Sequence, residues 1–283
     1  MAKTEAETPN ADQIAYWNEA GGSVWVEMQD RFDRMTAPFS RQTVAALAPR
    51  TGETLLDIGC GSGGSTLELA RLVGPGGQVL GVDISAPMLG LARRRAAEAG
   101  LDNVRFIEAD AQTTTLEPHA FDGLFSRFGV MFFDNPIGAF TNLHSALKPG
   151  GRLAFVCWRA MAENGWAAVP LAAALPHLPP LPPPVPSAPG TFAFADPDRI
   201  RDILGRAGFS GIAVAPFDTK AGVGDLDETV ALMLRSGPVG GVLREHPDRR
   251  DTVAEAVRRA LAPHQTADGV VLDAATWIVT ATA

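Results

Sequence analysis

The stretch LLDIGCGSGG, residues 55–64, decides the fold because it joins a short apolar run to a glycine-rich turn. Its glycines can be grouped in two ways. Gly59, Gly61 and Gly64 have the G-x-G-x-x-G spacing of a dinucleotide-binding loop. Gly59, Gly61 and Gly63, with Asp57 two residues before them, fit a loop that approaches a different kind of nucleoside. The rest of the chain has to decide between the two groupings.

The pattern around this stretch predicts strands that alternate with helices. Helices are predicted at 64–74, 85–100 and 136–147, and a parallel sheet follows from this alternation. The apolar runs suit strands that are buried on both faces. Ligands of such sheets bind just beyond the carboxyl ends of the strands. The five strands are predicted at ETLLDIG (53–59), GQVLGVD (77–83), NVRFIEAD (103–110), FDGLFSRF (121–128) and GRLAFVCW (151–158).

The segments outside this core have weaker patterns. Residues 10–35 and 39–47 are predicted to be helical, and the first of them carries three large aromatic residues, Tyr16, Trp17 and Trp25. Eight prolines in residues 176–190 predict a stiff, extended connection, although a P-x-x-P ligand for a recognition domain is an alternative. Beyond it we expect a helix at 196–208, a strand at 212–218, helices near 225–235 and 247–262, and a final strand at 276–283.

Composition narrows the class of protein. The 283 residues carry a net charge of −8, which argues against a nucleic-acid partner. Cys60 and Cys157 match no metal or redox spacing, so we expect no metal. The polar start MAKTEAETPNADQ does not resemble a secretory signal, and no apolar run reaches the length of a membrane span. These features predict a cytoplasmic protein that acts on a small molecule; a homodimer is left open.

Four motifs follow one another between Leu55 and Trp158: LLDIGCGSG, VLGVDISAPML, EADAQ and ALKPGGRLAF. In this order they resemble the cofactor loop, the ribose segment, the adenine segment and the turn before the fifth strand of class I S-adenosylmethionine-dependent methyltransferases. The resemblance is greatest to the broad bacterial group related to the ubiquinone- and menaquinone-biosynthesis methyltransferases. It implies a Rossmann-like sheet of seven strands whose last strand is antiparallel and enters between the fifth and sixth, with helices on both faces.

The resemblance also implies roles for individual residues toward S-adenosylmethionine, with S-adenosylhomocysteine as the product. Asp57 would face the methionine amino group, and the glycines would allow close backbone approach. Asp83 would bind ribose, and Asp110 would bind adenine together with Ala111. Ser126 and Arg127 would lie near the methionine carboxylate and the methyl group. The full cofactor set is Asp57, Gly59, Gly61, Gly63, Asp83, Ile84, Met88, Asp110, Ala111, Ser126 and Arg127. Candidate acceptor-site residues are Tyr16, Trp17, Trp25, Trp158 and Arg159.

We therefore expect one methyltransferase domain over residues 1–283. Residues 1–50 would form an N-terminal helical cap, 51–159 the cofactor-binding core and 160–195 a proline-rich connection or lid. Residues 196–283 would complete the domain, with a helical insertion at about 219–269 between the sixth and seventh strands.

The predicted function is transfer of a methyl group to a small-molecule acceptor by in-line displacement. A catalytic base stays unassigned, because His144 suits helix packing and His177 has no chemical context. Two alternatives stay open: an NAD(P)-dependent oxidoreductase, which Gly64 would support, and a non-catalytic protein that binds S-adenosylmethionine.

Overall fold

The computed structural model describes residues 10–181, 185, 188–222 and 224–283. Within these ranges the α-helices are α1 (Ala11–Asn18), α2 (Ala20–Glu27), α3 (Gln29–Leu47), α4 (Gly64–Val73), α5 (Ala86–Glu98), α6 (Pro136–Ala146), α7 (Gly165–Ala174), α8 (Pro197–Arg206), α9 (Leu226–Met233), α10 (Gly237–Glu245) and α11 (Arg250–Leu261). The strands are β1 (Thr54–Ile58), β2 (Gln78–Asp83), β3 (Val104–Glu108), β4 (Phe121–Arg127), β5 (Leu147–Trp158), β6 (Ser210–Gly222), β7 (Gln265–Thr266) and β8 (Gly269–Thr282).

The strand order confirms the predicted fold class. The sheet runs β3-β2-β1-β4-β5-β8-β6, and the two-residue β7 pairs only with β8. The first five strands are parallel, whereas β8 is antiparallel to both of its neighbours, β5 and β6. Strand order reverses between β1 and β4, so a crevice is expected above the carboxyl ends of these two strands.

Burial along the strands depends on their place in the sheet. The central strands β1 and β4 are mostly buried, and β5 is buried from Leu153 to Trp158, as their apolar runs predict. The expectation of two buried faces is wrong for β3, where no residue is fully buried. Its position at the edge of the sheet explains the difference, because one side of an edge strand lacks a neighbour.

The N-terminal region is helical, with different boundaries from those predicted. The predicted segments 10–35 and 39–47 are three helices, and α3 continues through Pro38. Its buried face, which includes Phe32, Phe39 and Leu47, extends on both sides of the proline and packs on β4 and β5. Burial of that face offsets the backbone hydrogen bond that proline removes.

The C-terminal part contains more regular structure than the sequence indicated. Three helices, not two, lie between β6 and β8, because the glycine- and proline-rich stretch GPVGGV begins helix α10. Strands β6 and β8 pair over a longer stretch than expected, from Ser210–Thr282 to Gly222–Val271.

Residues 160–195 are more than an extended connection, because helix α7 lies in the first half of this segment. The predicted extended connection at 176–190 falls partly outside the described residues, at 182–184, 186 and 187. Among the described residues, no helix has the length and apolar character that crossing a bilayer would require.

Candidate functional site

A cavity of about 620 Å³ lies above the carboxyl ends of the parallel strands. The loops after β1, β2, β3 and β4 and the end of β5 all contribute to its wall, and helices α1 to α3 and the α9–α10 connection cover it. Neighbouring strands are about 4.8 Å apart, so the β3 and β5 sides of the cavity are separated by roughly 19 Å. That span accommodates two small molecules side by side.

The glycine loop brings backbone to the cavity surface. Gly59 and Gly61 line the cavity and have positive φ angles of 65° and 54°. A Cβ atom at Gly59 would lie 2.6 Å from the Cα atom of Gly129, so two backbones pass each other with no room for a side chain. The loop after β1 is therefore packed directly against the loop after β4.

Gly63 has a different role from its two partners. Its φ is 81°, but a Cβ atom there would meet Ala92 of α5 at 3.0 Å and then the ring of Phe106. Gly63 does not line the cavity. Its missing side chain allows α4, α5 and β3 to pack closely beneath the loop.

Asp83 connects the loop to the second strand. Its carboxylate accepts hydrogen bonds from the backbone N–H of Gly61 (2.7 Å) and of Ser85 (2.9 Å). Burial raises its pKa, against the lowering effect of these backbone N–H groups. Asp83 lines the cavity together with Ile84 and Met88, so its carboxylate is held in a fixed orientation at the cavity wall.

Asp57 lies below the cavity instead of in its wall. The side chain is fully buried, and Oδ2 accepts hydrogen bonds from Ser65 Oγ (2.8 Å) and Thr66 Oγ1 (2.6 Å). Its Oδ1 atom has no hydrogen-bond partner among the described residues. Burial raises the pKa of Asp57 to about 6, although both hydroxyl groups lower it. Asp57 therefore fixes the first turn of α4, and its role toward an amino group stays a prediction.

A second polar cluster lines the cavity after β3. Asp110 Oδ1 accepts a hydrogen bond from the backbone N–H of Gln112 (2.9 Å), whereas Oδ2 is buried without a partner among the described residues. Ala111 lies beside it in the wall. Asn10 and Gln13, at the start of the chain's described part, face the same cavity, and each has a buried side-chain oxygen without a described partner. Buried acceptors of this kind call for a donor from a ligand.

Ser126 and Arg127, the two predicted residues at the end of β4, have different surroundings. The Ser126 hydroxyl is buried and donates to the carbonyl of Ile58 (2.7 Å), so it ties β4 to β1 and does not line the cavity. Arg127 does line the cavity, and its Nη2 lies 3.4 Å from Oδ1 of Asp33. Asp33 also pairs with Arg95 at 2.7 Å. Burial alone would raise the Asp33 pKa, but Arg127, Gln29 and Arg95 together hold it below its ordinary value.

Aromatic rings form much of the cavity wall, with Trp158 at the end of β5, and we call six of them the aromatic chamber: Trp25, Phe32, Phe128, Trp158, Trp166 and Phe192. Phe128 and Trp158 are stacked with centroids 4.3 Å apart, and Trp25 and Phe32 are stacked at 3.8 Å. Leu232 and Met233 of the α9 helix add an apolar cover. The chamber therefore favours a flat, apolar occupant.

The N-terminal helices are anchored to the cofactor side of the cavity. The Asn18 side chain donates to the carbonyl of Ile84 (2.8 Å) and accepts from the backbone N–H of Ala86 (2.9 Å). Ser85 Oγ donates to the carbonyl of Trp17 (2.7 Å). Two ion pairs, Arg235–Glu27 and Arg31–Glu228, join these helices to the α9–α10 region.

The structure brings most of the predicted residues to one cavity and leaves four outside its wall. Those that line it are Gly59, Gly61, Asp83, Ile84, Met88, Asp110, Ala111, Arg127, Tyr16, Trp17, Trp25 and Trp158. Asp57, Gly63, Ser126 and Arg159 do not. Arg159 instead pairs with Glu163 and Asp218 and lies over the Trp277 ring, so it belongs to a surface cluster.

Sequence reasoning missed Asn10, Gln13, Gln29 and Asn18, which the structure places at the cavity or on its cover. No spacing rule distinguishes these amides from surface residues, because their position depends on how the helices pack on the sheet. His144, in contrast, packs edge-on against Phe209, as its helical position indicated. No histidine or lysine lines the cavity in the described part of the chain, which also holds no group of three or more potential metal ligands.

The charged groups at the start of α4 help to decide whether the loop has the dinucleotide-binding spacing, which uses Gly64, or the alternative spacing, which uses Gly63. A dinucleotide pyrophosphate would sit at this helix N-terminus. There, a Cβ atom at Gly64 would lie 2.8 Å from the Asp33 carboxylate and 3.5 Å from Arg127. The Asp33 carboxylate, paired with Arg95 and Arg127, already stands where the pyrophosphate would sit, so the geometry favours the grouping of Gly59, Gly61 and Gly63.

Part of the chain is similar to known methyltransferase sequences. Residues 55–151 match the family model described as a methyltransferase domain. The chain is similar to aklanonic acid methyltransferase DauC of Streptomyces sp. (strain C5), with 38% identity over 118 residues, 42% of this chain and 54% of the relative. It is 39% identical over 116 residues, 41% of this chain and 47% of the relative, to the ubiquinone/menaquinone biosynthesis C-methyltransferase UbiE of Cellvibrio japonicus (strain Ueda107). The chain thus spans about half the length of the curated relatives it matches.

The fold is shared with solved structures of much lower sequence identity. The phosphoethanolamine N-methyltransferase 2 of Haemonchus contortus, solved in complex with S-adenosyl-L-methionine, superimposes with a TM-score of 0.58 at 18% identity, covering 100% of this chain and 61% of that one. Residues 55–151 therefore match a methyltransferase domain, and they lie within a fold that is shared with a solved methyltransferase structure.

Proposed function

We propose that the chain is an S-adenosylmethionine-dependent methyltransferase that acts on a small, largely apolar molecule. One observation carries the proposal: a single cavity joins the glycine loop, Asp83 and Asp110 to the aromatic chamber. A transferase must hold two molecules in contact. Asp83 and Asp110 follow β2 and β3, and Trp158 ends β5, which supports a polar half toward β3 and an aromatic half toward β5.

The polar half fits the parts of S-adenosylmethionine. The Asp83 carboxylate, fixed by two backbone N–H groups, would bind the ribose hydroxyls, with Ile84 and Met88 against the adenosine. The free Oδ2 atom of Asp110 would accept from the adenine amino group, beside the backbone of Ala111. Gly59 and Gly61 leave open backbone beside the cofactor, and S-adenosylhomocysteine would leave the same half as product.

The aromatic half supports an acceptor with a flat apolar part. Ring stacking such as that of Phe128 on Trp158 leaves planar faces and slots instead of rounded pockets. Tyr16, Trp17 and Trp25 add aromatic cover from the N-terminal helices. These contacts would bind the acceptor by burial of apolar area and would exclude water from the reacting atoms.

These residues support a mechanism in which the protein orients the methyl donor and the acceptor relative to each other. Bound S-adenosylmethionine supplies a methyl group on a positively charged sulfonium, which needs no acid to leave. The chain's residues hold the acceptor in line through the chamber walls and hold the donor through Asp83 and the loop. Because no histidine or lysine lines the described cavity, we assign no general base to the chain.

Partner and assembly follow the same proposal. The net charge of −8 and the enclosed aromatic cavity support a small-molecule acceptor over nucleic acid. Cytoplasmic location and a homodimer stay predictions from the sequence. The proline-rich region contributes Gly190, Thr191 and Phe192 to the cavity wall, which supports a covering role for that segment.

The proposal is tested by calorimetric titration of the purified chain with S-adenosylmethionine, S-adenosylhomocysteine and NADH. We expect one site for each of the first two and none for NADH. Binding of NADH alone would favour the oxidoreductase. Binding of S-adenosylmethionine without methyl transfer to any aromatic acceptor in a broad panel would favour the non-catalytic alternative.

A further inference from the structure

Gln29 is a polar residue whose side chain is buried in the cavity wall. It is the first residue of α3, is 6% exposed and lines the cavity. Its Oε1 atom is buried and has no hydrogen-bond partner among the described residues. A buried carbonyl oxygen normally has a donor, so the natural donor here is a group on the molecule that fills the cavity.

Asp33 lies four residues after Gln29 on the same helix, so the two side chains are neighbours. Gln29 also helps to hold the pKa of Asp33 low. Because a carboxylate can only accept hydrogen bonds, the amide nitrogen is the end of Gln29 that suits Asp33, and Oε1 is the end that has no partner among the described residues. Asp33 is itself fixed by Arg95 at 2.7 Å.

The same cluster places Gln29 on the glycine-loop side of the cavity, close to Arg127. Asp33 contacts Arg127 at 3.4 Å and stands beside Gly64, at the start of α4. Arg127 is the cavity-lining cation of this cluster, and its side chain is only 12% exposed. Asp110, which marks the adenine side, follows β3 at the edge of the sheet. An acceptor and a cation therefore stand together, away from the adenine side.

A neutral acceptor next to a guanidinium is complementary to an α-amino acid. Resting on the function proposed above, we propose that Gln29 Oε1 accepts a hydrogen bond from the α-ammonium group of the cofactor while Arg127 pairs with its α-carboxylate. The Asp33–Arg95 pair then acts as the support that orients both side chains. Asp57, the residue expected for the amino group, does not line the cavity.

The test compares three ligands that differ only in this part of the cofactor. S-adenosylhomocysteine carries both charged groups, its deaminated analogue lacks the ammonium, and 5′-methylthioadenosine lacks the whole amino-acid part. Their affinities are measured by calorimetry for wild type, Gln29→Met and Arg127→Met. Matched controls are Gln42→Met and Arg41→Met, two exposed residues of the same helix.

We expect Gln29→Met to weaken the binding of S-adenosylhomocysteine by roughly 10- to 100-fold, the range typical of a lost charge-assisted hydrogen bond. Its affinities for the deaminated analogue and for 5′-methylthioadenosine should equal those of wild type. Arg127→Met should weaken the binding of S-adenosylhomocysteine and of its deaminated analogue, and it should leave the affinity for 5′-methylthioadenosine unchanged. Both control variants should bind all three ligands as wild type does.

Retained binding of 5′-methylthioadenosine also shows that a variant is folded. If Gln29→Met does not fold, wild type alone can still refute the inference, because it should bind the deaminated analogue much more weakly than S-adenosylhomocysteine. Equal wild-type affinity for these two ligands, or equal losses for all three ligands in Gln29→Met, would overturn the inference. Wild type that binds none of the three would instead refute the proposed function.

Discussion

Replacing Gly59 with alanine should destabilise the chain and separate the two loops that meet beneath the cavity. Gly59 has a φ of 65°, which is unfavourable by about 1–2 kcal/mol for a residue with a Cβ atom. The new Cβ atom would also lie 2.6 Å from the Cα atom of Gly129, and backbone cannot move aside as a flexible side chain can. Overpacking of this kind typically adds about 1–3 kcal/mol. We therefore expect a loss of about 2–5 kcal/mol in the free energy of unfolding.

Two other glycines separate the contributions of backbone strain and steric clash. Gly52 has a φ of 86° and nothing within 4 Å of the added Cβ atom, so Gly52→Ala should cost about 1 kcal/mol from strain alone. Gly61→Ala would meet only the end of the flexible Met88 side chain, at 2.6 Å. It should destabilise little more than Gly52→Ala, while moving Met88 within the cofactor half of the cavity.

Urea denaturation of the three variants and wild type measures these differences, and titration with S-adenosylhomocysteine measures the effect on the site. We expect the order of stability loss to be Gly59→Ala, then Gly61→Ala, then Gly52→Ala, with weakened binding for the first two only. If Gly59→Ala and Gly52→Ala lose the same free energy, the close contact between the loops after β1 and β4 does not constrain the fold as argued.

The remaining predictions address the carboxylates, metal dependence and the N-terminal cover. Asp83→Ala should weaken S-adenosylhomocysteine by an amount corresponding to about 1.5–3 kcal/mol, and an unchanged dissociation constant would place the ribose elsewhere. Because burial raises the pKa of Asp57 to about 6, the folded chain holds this proton more tightly than the unfolded chain, and stability from this group is lost as pH rises through about 6. Between about pH 4 and pH 7, wild type should therefore lose about 2 kcal/mol relative to Asp57→Asn; parallel denaturation curves at the two pH values would contradict this. Methyl transfer should survive chelation by EDTA, and activity that returns only with magnesium would contradict that expectation. Removing residues 1–30 should weaken S-adenosylhomocysteine binding with the sheet retained by circular dichroism, since Trp17 and Asn18 anchor this region to the loop after β2; unchanged binding would make the segment a surface appendage.

The parallel half of the fold could be predicted because each of its elements has a local signal. Ser85 accepts from the backbone N–H of Met88 at the start of α5, as its position before Ala86 and Pro87 indicated. The acids at the ends of β2 and β3 reach one cavity because parallel strands end at the same edge of the sheet.

What could not be predicted depends on contacts between distant segments. Gln29 and Asn18 reach the site only because α1 to α3 fold back over the sheet, and no periodicity encodes that packing. Arg159 shows the opposite error, since its place just after β5 suggested a substrate contact, but nearby Glu163 and Asp218 bind it at the surface. Helix α10 was missed because its glycines and proline are typical of a loop.

The most direct test of the account is a crystal structure of the chain with S-adenosylhomocysteine bound. We expect ligand density in the cavity of about 620 Å³, with the ribose on Asp83, the adenine beside Asp110 and the sulfur toward the aromatic chamber. Density for the ligand outside this cavity, or in it with the adenine toward Trp158, would contradict the account.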